Sequence, residues 1–120
     1  MNNSPRGEVA AGAEAFLSRD PLQARDRIVA YFHDTHRETF AQARRHLGAP
    51  AGEREVHEAV LGAVKLVFRS VGADFSKPTR QALLAVVDVL ARKAAVWGVP
   101  RLEAERHARW MRSAAEGVET

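Results

Sequence analysis

SKPTRQALLAVVDVLARKAAVWGVP (residues 76–100) predicts a helix that is apolar around most of its circumference. Ser76 suits the N-cap, Pro78 falls in the first turn, and the helix ends before Gly98. Its apolar residues are Leu83, Leu84, Val86, Val87, Val89, Leu90, Ala94, Val96 and Trp97. The narrow polar strip consists of Lys77, Gln81, Asp88 and Arg92. A helix of this kind is buried by several neighbours, so we expect it to be the central helix of a helical domain.

The longest predicted helix lies near the start of the chain. Asp20 is a favourable N-cap and Pro21 suits the first helical position. The helix runs to Leu47 and stops at Gly48. The residues that share its inward face are Ile28, Val29, Phe32, Thr39, Phe40, Ala43 and Leu47. This spacing predicts a long amphipathic helix that covers one side of the domain.

Two more helices complete the pattern. A valine series at helical spacing marks one from Glu53 to Val71, which ends at Gly72. The other runs from Arg101 to Glu116, and its inward face is mostly alanine. Because alanine buries little apolar area, we expect this last helix to be the most weakly attached. Short connections between the helices make consecutive helices antiparallel neighbours.

The four segments predict an all-α fold, a compact antiparallel bundle of four helices with room for a short N-terminal helix. A chain of 120 residues suits one domain. Residues 1–19 are expected to form a flexible or weakly helical leader, because their composition cannot build a core. Residues 20–120 are expected to form the single helical-bundle domain.

The composition excludes several classes of function. The chain contains no cysteine, which removes disulfides, thiolate chemistry and cysteine-based zinc sites. It shows no signal peptide and no run of about 18 apolar residues, so we expect a cytoplasmic protein without membrane contact. Arginine and alanine are abundant, as is typical of a GC-rich bacterial genome. No catalytic, nucleotide-binding or cofactor motif is present, and we therefore expect neither an enzyme nor a cofactor.

Histidines on the predicted inward faces raise a metal-binding alternative. His36, His57 and His107 each fall on a different helix, and Glu103 lies one turn before His107. Imidazoles with a carboxylate suit zinc or iron, and bundles build such sites between facing helices. The Glu-x-x-His motifs of carboxylate-bridged metal bundles are missing, however. We therefore expect no metal, and we interpret these histidines as structural groups whose pKa values are lowered by burial.

Arginines on the last helix raise a nucleic-acid alternative. Arg101, Arg106, Arg109 and Arg112 form a predicted basic ridge. Such a ridge could contact phosphates, and the formal net charge of +3 is compatible with an acidic partner. The spacing of a helix-turn-helix is missing, and no aromatic residue alternates with the arginines for stacking on bases. A solvated helix face is the favoured interpretation.

The favoured function is a non-enzymatic interaction or regulatory module that binds a protein partner, or itself, through an apolar helix face. The predicted central helix is apolar over more of its surface than a small bundle covers. Leu66 and Leu84 also fall outside the main apolar arcs of their helices. Exposed apolar surface of this kind marks sites of association, so these two leucines are the predicted interaction residues.

Overall fold

A computed structural model describes residues 19–118, which contain four helices and no strand. The helices are α1 (Pro21–His46), α2 (Glu53–Ser70), α3 (Arg80–Val96) and α4 (Arg101–Glu116). The predicted all-α bundle of four helices is confirmed. The expected leader lies outside the described residues apart from Arg19. None of the four helices described within residues 19–118 is long and apolar enough to cross a membrane.

Local signals set the ends of α1 where the sequence predicted them. The Asp20 carboxylate accepts a hydrogen bond of 3.0 Å from the backbone N–H of Leu22, which is the expected N-cap bond. Gly48 follows the helix with φ of 72°, a left-handed conformation that favours glycine. This turn reverses the chain into α2, so α1 and α2 form a helical hairpin.

The start of α3 differs from the prediction. Thr79, and not Ser76, is the N-cap, and its hydroxyl accepts a hydrogen bond of 3.1 Å from the N–H of Ala82. Ser76 instead donates from its hydroxyl to the Asp74 carboxylate at 2.7 Å, in a separate turn. Proline disfavours helical geometry in the residue before it. Pro78 therefore keeps the preceding residue out of the helix, and α3 begins only after Thr79.

The helices are arranged in a ring, in chain order. Among the described residues, α3 packs most extensively on α4. α1 packs on α2 and also on α4, and this last contact closes the ring. The expectation that α3 is the central helix is wrong, because it occupies one corner. Its inner residues, Leu83, Val86, Val87 and Leu90, are nevertheless fully buried. The outer part of its wide apolar arc faces solvent, and Val96 is 83% exposed.

The expectation that α4 is the most weakly attached helix is also wrong. It packs on both α3 and α1, and Ala104, Ala108, Ala114 and Ala115 are all buried. Small side chains bury little area individually, but they let two helix backbones approach closely. Met111 supplies the large side chain on this face and is buried with Phe32 and Phe68 in the common core. The alanine face thus holds α4 in place by close contact.

Candidate functional site

Two of the three predicted inward histidines meet between α1 and α4. His36 is 1% exposed and His107 is 7% exposed. Their ring centroids are 5.7 Å apart and the ring planes are inclined at 74°. The His36 ring also stacks on Phe32, one turn earlier on α1, with centroids 4.2 Å apart. Antiparallel packing of α1 and α4 has therefore brought together residues about 70 positions apart in the chain.

The hydrogen bonds of His36 fix its neutral tautomer. Its Nδ1 lies 2.8 Å from the Thr35 hydroxyl and 3.1 Å from the Phe32 carbonyl oxygen. The Thr35 hydroxyl donates to the Tyr31 carbonyl at 2.9 Å, so both oxygens near Nδ1 act as acceptors. Nδ1 therefore carries the hydrogen of the neutral ring, and Nε2 keeps a lone pair. Within residues 19–118, this buried Nε2 has no hydrogen-bond partner.

His107 has a similar arrangement. Its Nε2 lies 3.9 Å from Oε1 of Glu103, one turn earlier on α4. A carboxylate at this side favours a hydrogen on Nε2, which leaves the lone pair on Nδ1. The buried Nδ1 also has no hydrogen-bond partner among the residues that the structure describes. We name His36 and His107 the histidine pair, which holds two unprotonated nitrogens inside the α1–α4 interface.

Burial lowers the pKa of both imidazoles. For His36, the loss of hydration is the main cause of the lowered pKa, and the Phe32 carbonyl partly opposes it. For His107, burial again lowers the pKa most; Glu103 raises it and Arg106 lowers it. The ordinary pKa of histidine is about 6.5, so both rings are neutral at pH 7.

His57 does not join the histidine pair, and the expectation that it points inward is wrong. It is exposed on α2, and its ring lies 5.3 Å from that of His33, measured between centroids. The buried face of α2 is formed by valines such as Val56 and Val60, and His57 follows Val56 directly. One residue turns the side chain by about 100°, which is enough to move it from the core to the margin.

The metal alternative does not gain a complete set of ligands from this geometry. Among the described residues 19–118, no three His, Asp, Glu or Cys side chains are grouped so that they could hold a metal ion. His36, His107 and Glu103 are neighbours, but His57 lies elsewhere. The chemistry that the histidine pair supports is proton binding by its two imidazoles.

Three of the four ridge arginines gather along a groove between α3 and α4, the arginine groove. Its volume is about 480 Å³, and its lining consists of Ala91, Arg92, Ala95, Arg101, Ala104, Glu105, Ala108, Arg109 and Arg112. Arg101 is 3.3 Å from Glu105, and Arg112 is 2.8 Å from Asp88 on α3. Arg106 lies on another side of α4, where its charge acts on Tyr31 and His107.

The sequence did not indicate that Arg92 belongs to this set. It lies on α3 and was predicted only as part of a polar strip, so its position depends on the pairing of α3 with α4. Within residues 19–118, neither Arg92 nor Arg109 forms an ion pair. The arginine groove therefore has two arginines without an ion pair, which we call uncompensated, although Glu105 also lines the groove.

A second groove, the apolar groove, lies at the end of α1. It is formed by the last two turns of α1 and by Trp97, which follows α3, and its volume is about 610 Å³. Its lining residues are Thr39, Phe40, Gln42, Ala43, His46, Leu47 and Trp97, with no Asp, Glu, Lys or Arg among them. The Phe40 and Trp97 rings meet edge to face with centroids 5.2 Å apart. Leu47 stands beside them and is 82% exposed.

The apolar groove exists because the helices differ in length. α1 has 26 residues and α4 has 16, so part of α1 has no partner from α4 beside it. The sequence placed Phe40 and Leu47 on the inward face, where a helix of equal length would have covered them.

The predicted interaction residues lie elsewhere. Leu66 is 65% exposed on α2, whereas Leu84 is half-buried and packs against the core.

Comparisons of the chain with protein-family models, with curated proteins and with solved structures find no match. The function is therefore inferred from three features of the structure: the histidine pair, the arginine groove and the apolar groove.

Proposed function

We propose that this protein is a non-enzymatic interaction or regulatory module that binds a second copy of itself through the apolar groove. The observation that supports this proposal is the exposure of Leu47 beside a groove lined by Phe40 and Trp97. Leu47 is in contact with water next to an apolar recess. Covering an apolar side chain of this size lowers the free energy, which favours association.

The surface is suited to a copy of itself because it contains both a projection and a recess. In a two-fold dimer the same patch faces itself, so the Leu47 side chain of each protomer can enter the groove of the other. The lining residues include no Asp, Glu, Lys or Arg, so two copies meet without like-charge repulsion between such groups. A strongly basic or acidic patch would oppose such pairing.

The magnitude of the contact indicates a weak dimer. Full burial of a leucine side chain contributes about 1.5–3 kcal/mol, so two copies of Leu47 contribute about 3–6 kcal/mol. Phe40, Ala43 and Trp97 add the remaining apolar area, and association costs several kcal/mol in lost freedom. A dissociation constant of about 1 μM requires about 8 kcal/mol. We expect a dissociation constant in the micromolar range or above.

Sedimentation velocity of the full chain from about 10 μM to about 1 mM tests this proposal. We expect a monomer–dimer equilibrium in the wild type and a monomer in Leu47→Lys. Leu102→Glu is the matched control, because Leu102 is 80% exposed and lies outside the groove. Each new charge has the sign that its helix end favours, so both variants should fold.

Two results would count against self-association. One is a wild-type protein that stays monomeric at the highest concentration. The other is a dimer that survives in Leu47→Lys or is lost equally in Leu102→Glu. A monomeric wild type would refute self-association and would make a different protein the candidate partner of the apolar groove.

A second candidate function, contact with nucleic-acid phosphates, is favoured by the arginine groove. Arg92 and Arg109 line it without ion pairs among the described residues. Two uncompensated charges support only a few phosphate contacts, and helix-borne alanines between them offer no hydrogen bonds to bases. This function ranks second because only two of the arginines that line the groove are without an ion pair among the described residues.

A further inference from the structure

The histidine pair is a buried titratable cluster that the proposed dimer does not use. His107 lies in the second turn of α4, and it faces His36 across the α1–α4 interface. The pair therefore joins the N-terminal half of α4 to α1 at a place where neither buried nitrogen has a hydrogen-bond partner among the described residues. Proton uptake at this place changes the interface directly.

We propose that the histidine pair is a proton-sensitive latch, whose protonation releases the first two turns of α4 from α1. In the closed state both rings are neutral and in edge-to-face contact. The first proton places a cation in a buried site, and the second places two like charges in adjoining rings. Both changes favour a state in which the rings separate and are hydrated.

The charged neighbours do not neutralise this effect. On α4, Glu103 lies beside His107 and Arg106 opposes its protonation. On α1, the titratable neighbour is Tyr31, whose ring meets His107 edge-on with centroids 5.8 Å apart. From α3, the uncharged indole of Trp97 faces His36.

On α2, the ring contact of His57 is with His33, so it does not reach the pair. Glu103 is thus the carboxylate that attracts a proton to the pair, and its side chain is 45% exposed. Solvent screens a carboxylate of that exposure, so it compensates at most one of the two charges.

The release is expected to be local because the two halves of α4 are held differently. The N-terminal half of α4 has no side-chain cap, and besides His107 it buries only the small residues Ala104 and Ala108. The C-terminal half is anchored by buried, uncharged residues, Met111, Ala114 and Ala115, and by the Arg112–Asp88 ion pair to α3. Protonation of the histidine pair acts only on the first half, so that half opens before the rest of the bundle.

The direction of the pH dependence follows from the lowered pKa values. In the closed state both histidines have a pKa below the ordinary 6.5, so the open state binds more protons. The closed state is therefore fully favoured above about pH 6.5 and loses its advantage as the pH falls below that value. The equilibrium constant for opening rises by up to about tenfold per pH unit for one proton and about a hundredfold for two.

Hydrogen exchange measured by mass spectrometry, with correction for intrinsic rates, tests the latch in the full chain. At about pH 5, compared with about pH 7.5, protection should fall at the amides of residues 104–112, whose acceptors are the carbonyls of residues 100–108, and stay unchanged in residues 113–116. A Trp110→Phe background makes Trp97 the single tryptophan, so its fluorescence should change over the same pH range. The change should disappear in the His36→Gln and His107→Gln double variant.

His57→Gln is the matched control, because it removes an exposed histidine that does not face the pair. This control should keep the wild-type pH dependence. Equal loss of protection throughout the bundle would overturn the proposal, as would pH dependence that persists in the double variant.

If the double variant does not fold, an NMR titration of the wild-type imidazoles decides. Signals of His36 and His107 that titrate at or above about 6.5 in the folded protein would refute the latch. Stoichiometric zinc or iron in the purified protein, lost in the double variant, would replace the latch by a metal site. Trp97 lines the apolar groove, so its fluorescence is to be measured at a protein concentration where the chain is monomeric. The amides of α4 and the imidazoles of the histidine pair lie outside that groove, so these two readouts do not report on association.

Discussion

Replacing Leu90 by alanine should destabilise the domain by about 2–5 kcal/mol, the usual range for a buried leucine. Leu90 lies in the middle of α3 and has no exposed surface. The substitution removes three carbon groups, which contribute about 2.4 kcal/mol at about 0.8 kcal/mol each. The remaining cavity adds up to about 2 kcal/mol, because the surrounding helices relax only in part.

Urea denaturation followed by circular dichroism measures this loss. The midpoint should fall while the slope with denaturant stays constant, since the same surface is exposed on unfolding. Val96→Ala is the matched control on the same helix, because Val96 is 83% exposed and its truncation should change stability by less than about 0.5 kcal/mol. A loss below about 1 kcal/mol for Leu90→Ala would refute the assignment of the inner face of α3.

Two further predictions concern the N-cap of α3 and the arginine groove. Thr79→Ala removes the observed N-cap of α3 and should cost about 1 kcal/mol in the same assay. Ser76→Ala should cost less, and the reverse order would mean that α3 begins at Ser76. Any binding of duplex DNA through the arginine groove should be weak, indifferent to sequence and lost near physiological salt. Two uncompensated arginines give a salt slope of only about 1.8, at about 0.9 per phosphate. Fluorescence anisotropy at two salt concentrations checks this, and a sub-micromolar, sequence-selective complex abolished by Arg109→Ala would favour nucleic-acid binding.

The helices were predictable because their signals are local. Asp20 with Pro21 begins α1, and Gly48, Gly72 and Gly98 follow three helices with positive φ. The start of α3 was harder, since Ser76 and Thr79 are both suitable caps on either side of a proline. Only the restriction that a proline places on the residue before it distinguishes them.

The candidate sites were less predictable because they depend on pairing and register. The sequence placed His36 and His107 on inward faces, but their meeting requires α1 beside α4 at one particular height. The prediction for His57 was wrong because His57 lies at the edge of the valine face. At such an edge, helical periodicity does not decide whether a side chain is buried. The apolar groove follows from the unequal lengths of α1 and α4, a difference already visible in the predicted helix boundaries.

The unequal packing around the ring has a consequence for the order of folding. The contacts between α3 and α4 are the most extensive, α1 packs about equally on α2 and on α4, and α2 touches α3 much less. The neighbours in the chain, α1 with α2 and α3 with α4, form two hairpins. Each hairpin can form from local contacts, which close quickly because little chain entropy is lost. The α1–α4 face joins residues far apart in the sequence and forms when the two hairpins dock. We therefore predict that substitutions on that face speed unfolding more than they slow folding, and φ-values near 1 at those positions would contradict this order of folding.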